Sequence, residues 1–149
     1  MMAELREATN ETATFTHILD LYDQGKEDRE WIPQCASEGG WVIISGDRAK
    51  NNNAGGKLPA LCREQGVTHI ILGARAHQLR VAEKLSLFQL MWPQIAEARN
   101  AKPGTRFKLQ FKQLPKNRGL QAVLINVDES EAPTLHQRRK KKTKKRGKP

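Results

Sequence analysis

Cysteine is scarce in this chain of 149 residues: Cys35 and Cys62 stand alone, with no Cys-x-x-Cys spacing. That argues against a disulfide framework or a thiolate zinc site, and the expectation is a reduced, cytoplasmic protein. The four histidines, His17, His69, His77 and His136, are scattered without zinc-ligand spacing, and each reads as a loop or strand-edge imidazole. No apolar stretch is long enough to span a membrane, and no signal-peptide pattern opens the chain, so no membrane partner is expected. A phosphate-binding loop is excluded too. Gly55-Gly56-Lys57 would need Gly at 51 and Ser or Thr at 58, where Asn51 and Leu58 stand. No internal repeat is present.

The positive charge is unevenly placed along the chain, and its last residues account for most of it. The net charge is +10, yet residues 136–149 hold six Lys and three Arg and no acid, which leaves 17 basic residues against 16 acidic ones elsewhere. The body is nearly neutral. The basic character belongs to the run that includes Arg138, Arg139, Lys140, Lys141 and Lys142. Such a run repels itself and buries nothing apolar, so residues 131–149 are expected to be a disordered tail. It reads either as a solvated charge run or as an arm that binds nucleic acid by releasing counterions. It has no aromatic residue for base stacking.

Hydrophobic residues make up 38% of the chain, enough for one modest core. A short helix is expected over 3–9, a strand over Phe15 to Leu21, a turn at Asp23-Gln24-Gly25-Lys26, and a helix over 29–38 that Gly39-Gly40 stops. Trp41 to Ser45 is almost wholly apolar and reads as a strand covered on both faces, with Trp31 and Trp41 in the core. A loop over 48–56, a helix over 57–65 and a strand over 67–72 follow. From Gln78 to Arg99, Leu79, Ala82, Leu85, Phe88, Met91 or Trp92, and Ile95 lay one stripe along a helix that Pro93 bends or ends. This alternation predicts an α/β fold with a parallel sheet and helices on its faces, over residues 1–100. Phe107, Leu109 and Phe111 alternate with Lys108, Gln110 and Lys112, so residues 101–130 are expected to carry an appended β-hairpin.

Two carboxylates stand where chemistry is done in such folds. Asp47 follows the buried strand, at the end of the sheet where ligands bind, and Asp28 opens a helix just upstream. Each also has an ordinary role, Asp47 in a turn and Asp28 as a helix N-cap. The combination of Asp28-Arg29-Glu30-Trp31-Ile32-Pro33, Gly39-Gly40-Trp41-Val42-Ile43-Ile44-Ser45-Gly46-Asp47-Arg48 and Gly66-Val67-Thr68-His69-Ile70-Ile71-Leu72 resembles the PIN-like nuclease domains related to VapC-type toxins. The resemblance covers residues 15 to 95.

That resemblance implies a three-layer α/β/α domain and cleavage of RNA with Mg2+ or Mn2+, hard ions that suit carboxylate ligands. Asp28 matches the family's helix-start acid and Asp47 its strand-end acid; both are candidate catalytic and metal residues, with Asp20 or Asp23 as a substitute ligand and Glu30 in support. Arg48 and Lys50, beside the Asn51-Asn52-Asn53 loop, and the tail cations are candidate RNA contacts. An antitoxin protein or a second copy of the chain is the implied protein partner. The family's pattern begins with a central strand ending in Asp, whereas this chain starts at Met1-Met2-Ala3-Glu4-Leu5, inside the first helix. The first metal carboxylate is therefore expected to be absent, as is an acid after the later strand, where Leu72 precedes Gly73-Ala74-Arg75. Either the true start lies upstream, or the product is an inactive copy that binds RNA or a partner protein.

Overall fold

The structure, a computed structural model, describes residues 15–22, 25–46 and 58–130. The helix expected over 3–9, the loop over 48–56 and the tail lie outside them. The elements run α1 (Ile18–Leu21), α2 (Asp28–Glu38), β1 (Val42–Ser45), α3 (Leu58–Glu64), β2 (Thr68–Leu72), α4 (Ala74–Gln78), α5 (Val81–Leu90), α6 (Trp92–Ala98), β3 (Arg106–Gln113), a 3-10 turn (Pro115–Asn117), β4 (Leu120–Asn126) and α7 (Val127–Ser130).

One four-stranded sheet in the order β1-β2-β3-β4 organises the described residues. β1 pairs in parallel with β2, and β2 with β3, in registers that set Ile44 beside Ile70 and Ile70 beside Phe107. β4 turns back antiparallel to β3, Leu124 beside Leu109. The hairpin read from the alternation after Pro103 is thus present, and it is appended edge-on, continuing the sheet through β3.

Period-two alternation sends the two sets of side chains to opposite faces. On the first face Ile70, Leu72 and Leu109 pack under Ala76, Leu87, Met91, Trp92, Ile95 and Ala98, so α4, α5 and α6 form one helical layer. On the second face Trp31, Ile32 and Cys35 of α2 meet Leu58 and Cys62 of α3 over Ile43 and Val67. Helices therefore cover both faces, which is the α/β/α arrangement expected.

Two expectations are corrected. Phe15 to Leu21 is not a strand: residues 18–21 are a helical turn, and the Phe15 ring sits against Trp92, 4.9 Å between centroids, and Phe88. Seven residues of mixed pattern do not separate a period of 2 from one of 3.6. The single helix expected over Gln78 to Arg99 is two, α5 and α6, which follow the end of α4 at Gln78. Leu79 takes an extended backbone after α4; α5 then starts where the Glu83 carboxylate accepts the Arg80 backbone N–H at 2.7 Å. Met91 leaves helical geometry at φ −92° and ψ 8°, and Pro93 falls at the second position of α6, where a missing N–H is harmless.

Candidate functional site

α2 fixes Asp28. Its N-cap is Glu27, whose backbone N–H donates to the Glu30 carboxylate at 2.8 Å, so Asp28 is the first helical residue and not the cap it was expected to be. The Asp28 carboxylate is left to accept from Trp31 Nε1 at 3.1 Å, one turn on. Glu30 serves the cap. The helix closes on Gly39 and Gly40, both at positive φ (72° and 74°), and three residues later the chain is in β1. Trp31, Ile32 and Cys35 of α2 share the second-face core with Trp41 and Ile43, which joins α2 to the first strand.

Below Asp28 the second-face core is compact. Tyr22 lies over Trp31, with ring centroids 6.1 Å apart, and its hydroxyl meets Cys35 Sγ at 3.5 Å, a contact that raises the phenol to about 12. Cys62 is completely buried. Burial pushes its thiol up to about 12, with the negative charge of Asp28 adding to the effect. Both cysteines are free, as their spacing implied, and both are structural.

At the finishing end of β1, Ser45 Oγ pairs with His69 Nε2 of β2 at 2.8 Å. His69 is fully buried in mid-strand, which corrects its reading as a loop or strand-edge imidazole. His77, the fourth residue of α4, lies so close over Gly46 that a Cβ there would overlap its imidazole. Sequence reasoning missed both histidines. Their partners, Ser45 and Gly46, stand 24 and 31 residues away, and no local spacing signals either contact.

Asp20 is exposed on α1. Asp23, Asp47, Arg48, Lys50, Arg138, Arg139, Lys140, Lys141 and Lys142 lie outside the described residues. Among the described residues no three of His, Cys, Asp and Glu come together as a metal site. No helix among them is long and apolar enough to cross a membrane.

The second face also carries a cleft of about 570 Å3, lined by Pro59, Ala60 and Arg63 of α3, His69, Ile71 and Leu72 of β2, and Ala74, Arg106, Lys108 and Val127. At its rim one carboxylate serves two guanidiniums. Asp128 pairs with Arg63 Nη2, lies 3.9 Å from Arg106 Nε and accepts the Arg106 backbone N–H at 3.2 Å. Asn126 Oδ1 holds the turn by accepting the N–H groups of Asp128 (3.1 Å) and Glu129 (3.3 Å).

Residues 1–74 match the model described as a PIN like domain. The matched segment, just under half of the chain, contains Asp28, Asp47, β1, β2 and both helices of the second face, and it supports a PIN-like domain there. The α/β architecture agrees with it. Comparisons with curated proteins and with solved structures give no match. The later strands and helices, from Arg75 onward, lie beyond the PIN-like segment.

Proposed function

We propose that this protein is a PIN-like ribonuclease dependent on Mg2+ or Mn2+, with Asp28 and Asp47 as metal-holding and catalytic carboxylates and Asp23 as a further ligand. The observation that carries the reading is the match over residues 1–74, a nuclease-type family, which takes in all three acids. Two features support it. Asp28 opens α2, which shares a core with Ile43 of β1, and in the sequence Asp47 comes two residues after the last residue of β1. Oxygen donors also suit both ions, and Mg2+ is commonly held by one or two carboxylates together with water.

A bound ion there would supply charge to the scissile phosphate and lower the pKa of a water molecule. The chain's own contribution is orientation. Trp31 Nε1 donates to one oxygen of Asp28 and so fixes the orientation of the carboxylate in the first turn of α2. The Ser45–His69 pair ties β1 to β2 immediately before Gly46. RNA is the substrate on this reading, and the role suits the toxin half of a toxin–antitoxin pair, with the antitoxin, or a second copy of the chain, as protein partner.

The test is cleavage of RNA by the purified protein with Mg2+ or Mn2+. Asp47→Asn abolishes cleavage on this account, and full activity in that variant would remove Asp47 from the site. A second reading, an inactive PIN-like module that binds RNA or a partner protein, is favoured by one observation: the bond from Trp31 gives Asp28 a sufficient structural reason to exist. On that reading RNA binding is indifferent to metal, and removal of residues 138–149 flattens its salt dependence.

A further inference from the structure

We propose that the cleft on the second face of the sheet is a groove for single-stranded RNA, gripped by Lys108 and Lys112 and rimmed by Arg63 and Arg106. The inference rests on the ribonuclease reading above and names where its substrate lies beyond the carboxylates. Alternation along β3 puts Arg106, Lys108 and Lys112 on the face opposite Phe107, Leu109 and Phe111. Same-face neighbours on a strand are about 6.7 Å apart, so Arg106 and Lys108 are one step apart and Lys108 and Lys112 two steps, about 13 Å, spacings comparable with one and two phosphate steps of an extended nucleic-acid strand.

Charge complementarity selects the occupant. Among the described residues Arg63 and Arg106 share Asp128 at the rim, while Lys108 lines the cleft and Lys112 follows it on the same face of β3, so that face presents two lysines to a ligand. Lys108 and Lys112 are exposed, and among the described residues neither is tied into an ion pair. Arginine and lysine so arranged bind phosphates. The floor is different in kind: Pro59, Ala60 and Ile71 are apolar, and the volume of about 570 Å3 is in the range of small-molecule sites. An unstacked base enters such a space and a paired base does not, so the fit is to a single strand.

Position adds the last argument. The cleft runs from Arg106 and Val127, beside the start of β3, to Leu72, the last residue of β2, and Ala74 just after it. Ser45, the last residue of β1, is registered with Ile71 on its floor. RNA lying in the cleft is therefore led to the sheet edge that Asp47 follows.

Binding is measured by fluorescence anisotropy of a labelled single-stranded oligoribonucleotide with the full chain in excess EDTA, so that cleavage plays no part. The double variant Lys108→Gln/Lys112→Gln should weaken binding on the order of tenfold and lower the slope of log affinity against log salt by about 1.4, as expected for two phosphate contacts on a single strand. Lys84→Gln/Arg99→Gln removes equal charge from the opposite helical layer and should leave the slope unchanged. A duplex of the same sequence should compete less well than the single strand.

Equal effects from the two double variants, no effect from the first, a duplex that competes as well, or no binding by the wild-type chain would each overturn the proposal. Binding that shows the predicted pattern in a chain that cleaves nothing upholds the groove and removes the nuclease reading, so the two fail separately.

Discussion

Asp28 combines a structural bond with a proposed chemical duty, and the two can be separated. Asp28→Asn keeps an oxygen that accepts from Trp31 Nε1 and loses only the charge, so the account expects a stability change within about 1 kcal/mol in urea unfolding, together with loss of metal-dependent cleavage. A large stability loss would show that the charge itself holds α2. Cys62 gives a second prediction at this scale. Its thiol is raised from 9.0 to about 12 in the fold, so the folded chain keeps a proton that the unfolded chain gives up. The stabilisation is complete below about pH 9 and is lost as pH rises toward about 12. Urea midpoints across that window should fall more steeply for the wild type than for Cys62→Ala; parallel curves would contradict the burial argument. At pH 8 iodoacetamide should leave Cys62 unmodified in the native protein and label it in denaturant. The start of α2 at Asp28 was legible from the local pattern, whereas the contacts of His69 and His77 depend on partners set by the fold.

Elements with one strong local signal were readable. α2 has an acidic start and a Gly-Gly stop, β1 and β2 are short apolar runs, and β3 has clean alternation; all four lie within a residue or two of expectation. The readings that failed had competing signals. Phe15 to Leu21 carries an apolar density that suits a strand, but Phe15 finds its burial against α5 and α6. The stripe from Leu79 to Ile95 is real, yet Arg80 and Met91 interrupt it because a cap and a proline start a helix afresh, whatever the periodicity. Gly104 joins two elements in space. At φ +78°, it would place a Cβ 2.9 Å from the Arg63 carbonyl oxygen at the end of α3. Gly104→Ala is therefore both strained and obstructed by backbone, and a loss of about 1–3 kcal/mol is expected in thermal or urea unfolding. A neutral result would mean that the turn before β3 moves freely against α3.

The whole molecule is assembled across the boundary of the PIN-like match. Residues 1–74 bring β1, β2 and the helices of the second face, but Ile70 and Leu72 are covered by Leu87, Trp92 and Ile95, and the free side of β2 pairs with β3. A fragment ending at residue 74 leaves that apolar face and that strand edge open, so it should lack a cooperative unfolding transition and aggregate; a soluble, cooperative fragment would contradict the shared core. The sequence pattern announced the layers but not this dependence, because pairing between β2 and β3 joins segments more than thirty residues apart. On the function proposed above, the carboxylates of the PIN-like segment work through a divalent ion on RNA. The most direct test of that function is cleavage of a single-stranded RNA by the full chain after stripping with chelator, followed by addition of Mg2+ or Mn2+. The account predicts no cleavage when stripped, recovery with either ion, and no recovery in Asp28→Asn or Asp47→Asn. Cleavage that survives chelation, or that returns equally in both variants, would contradict it.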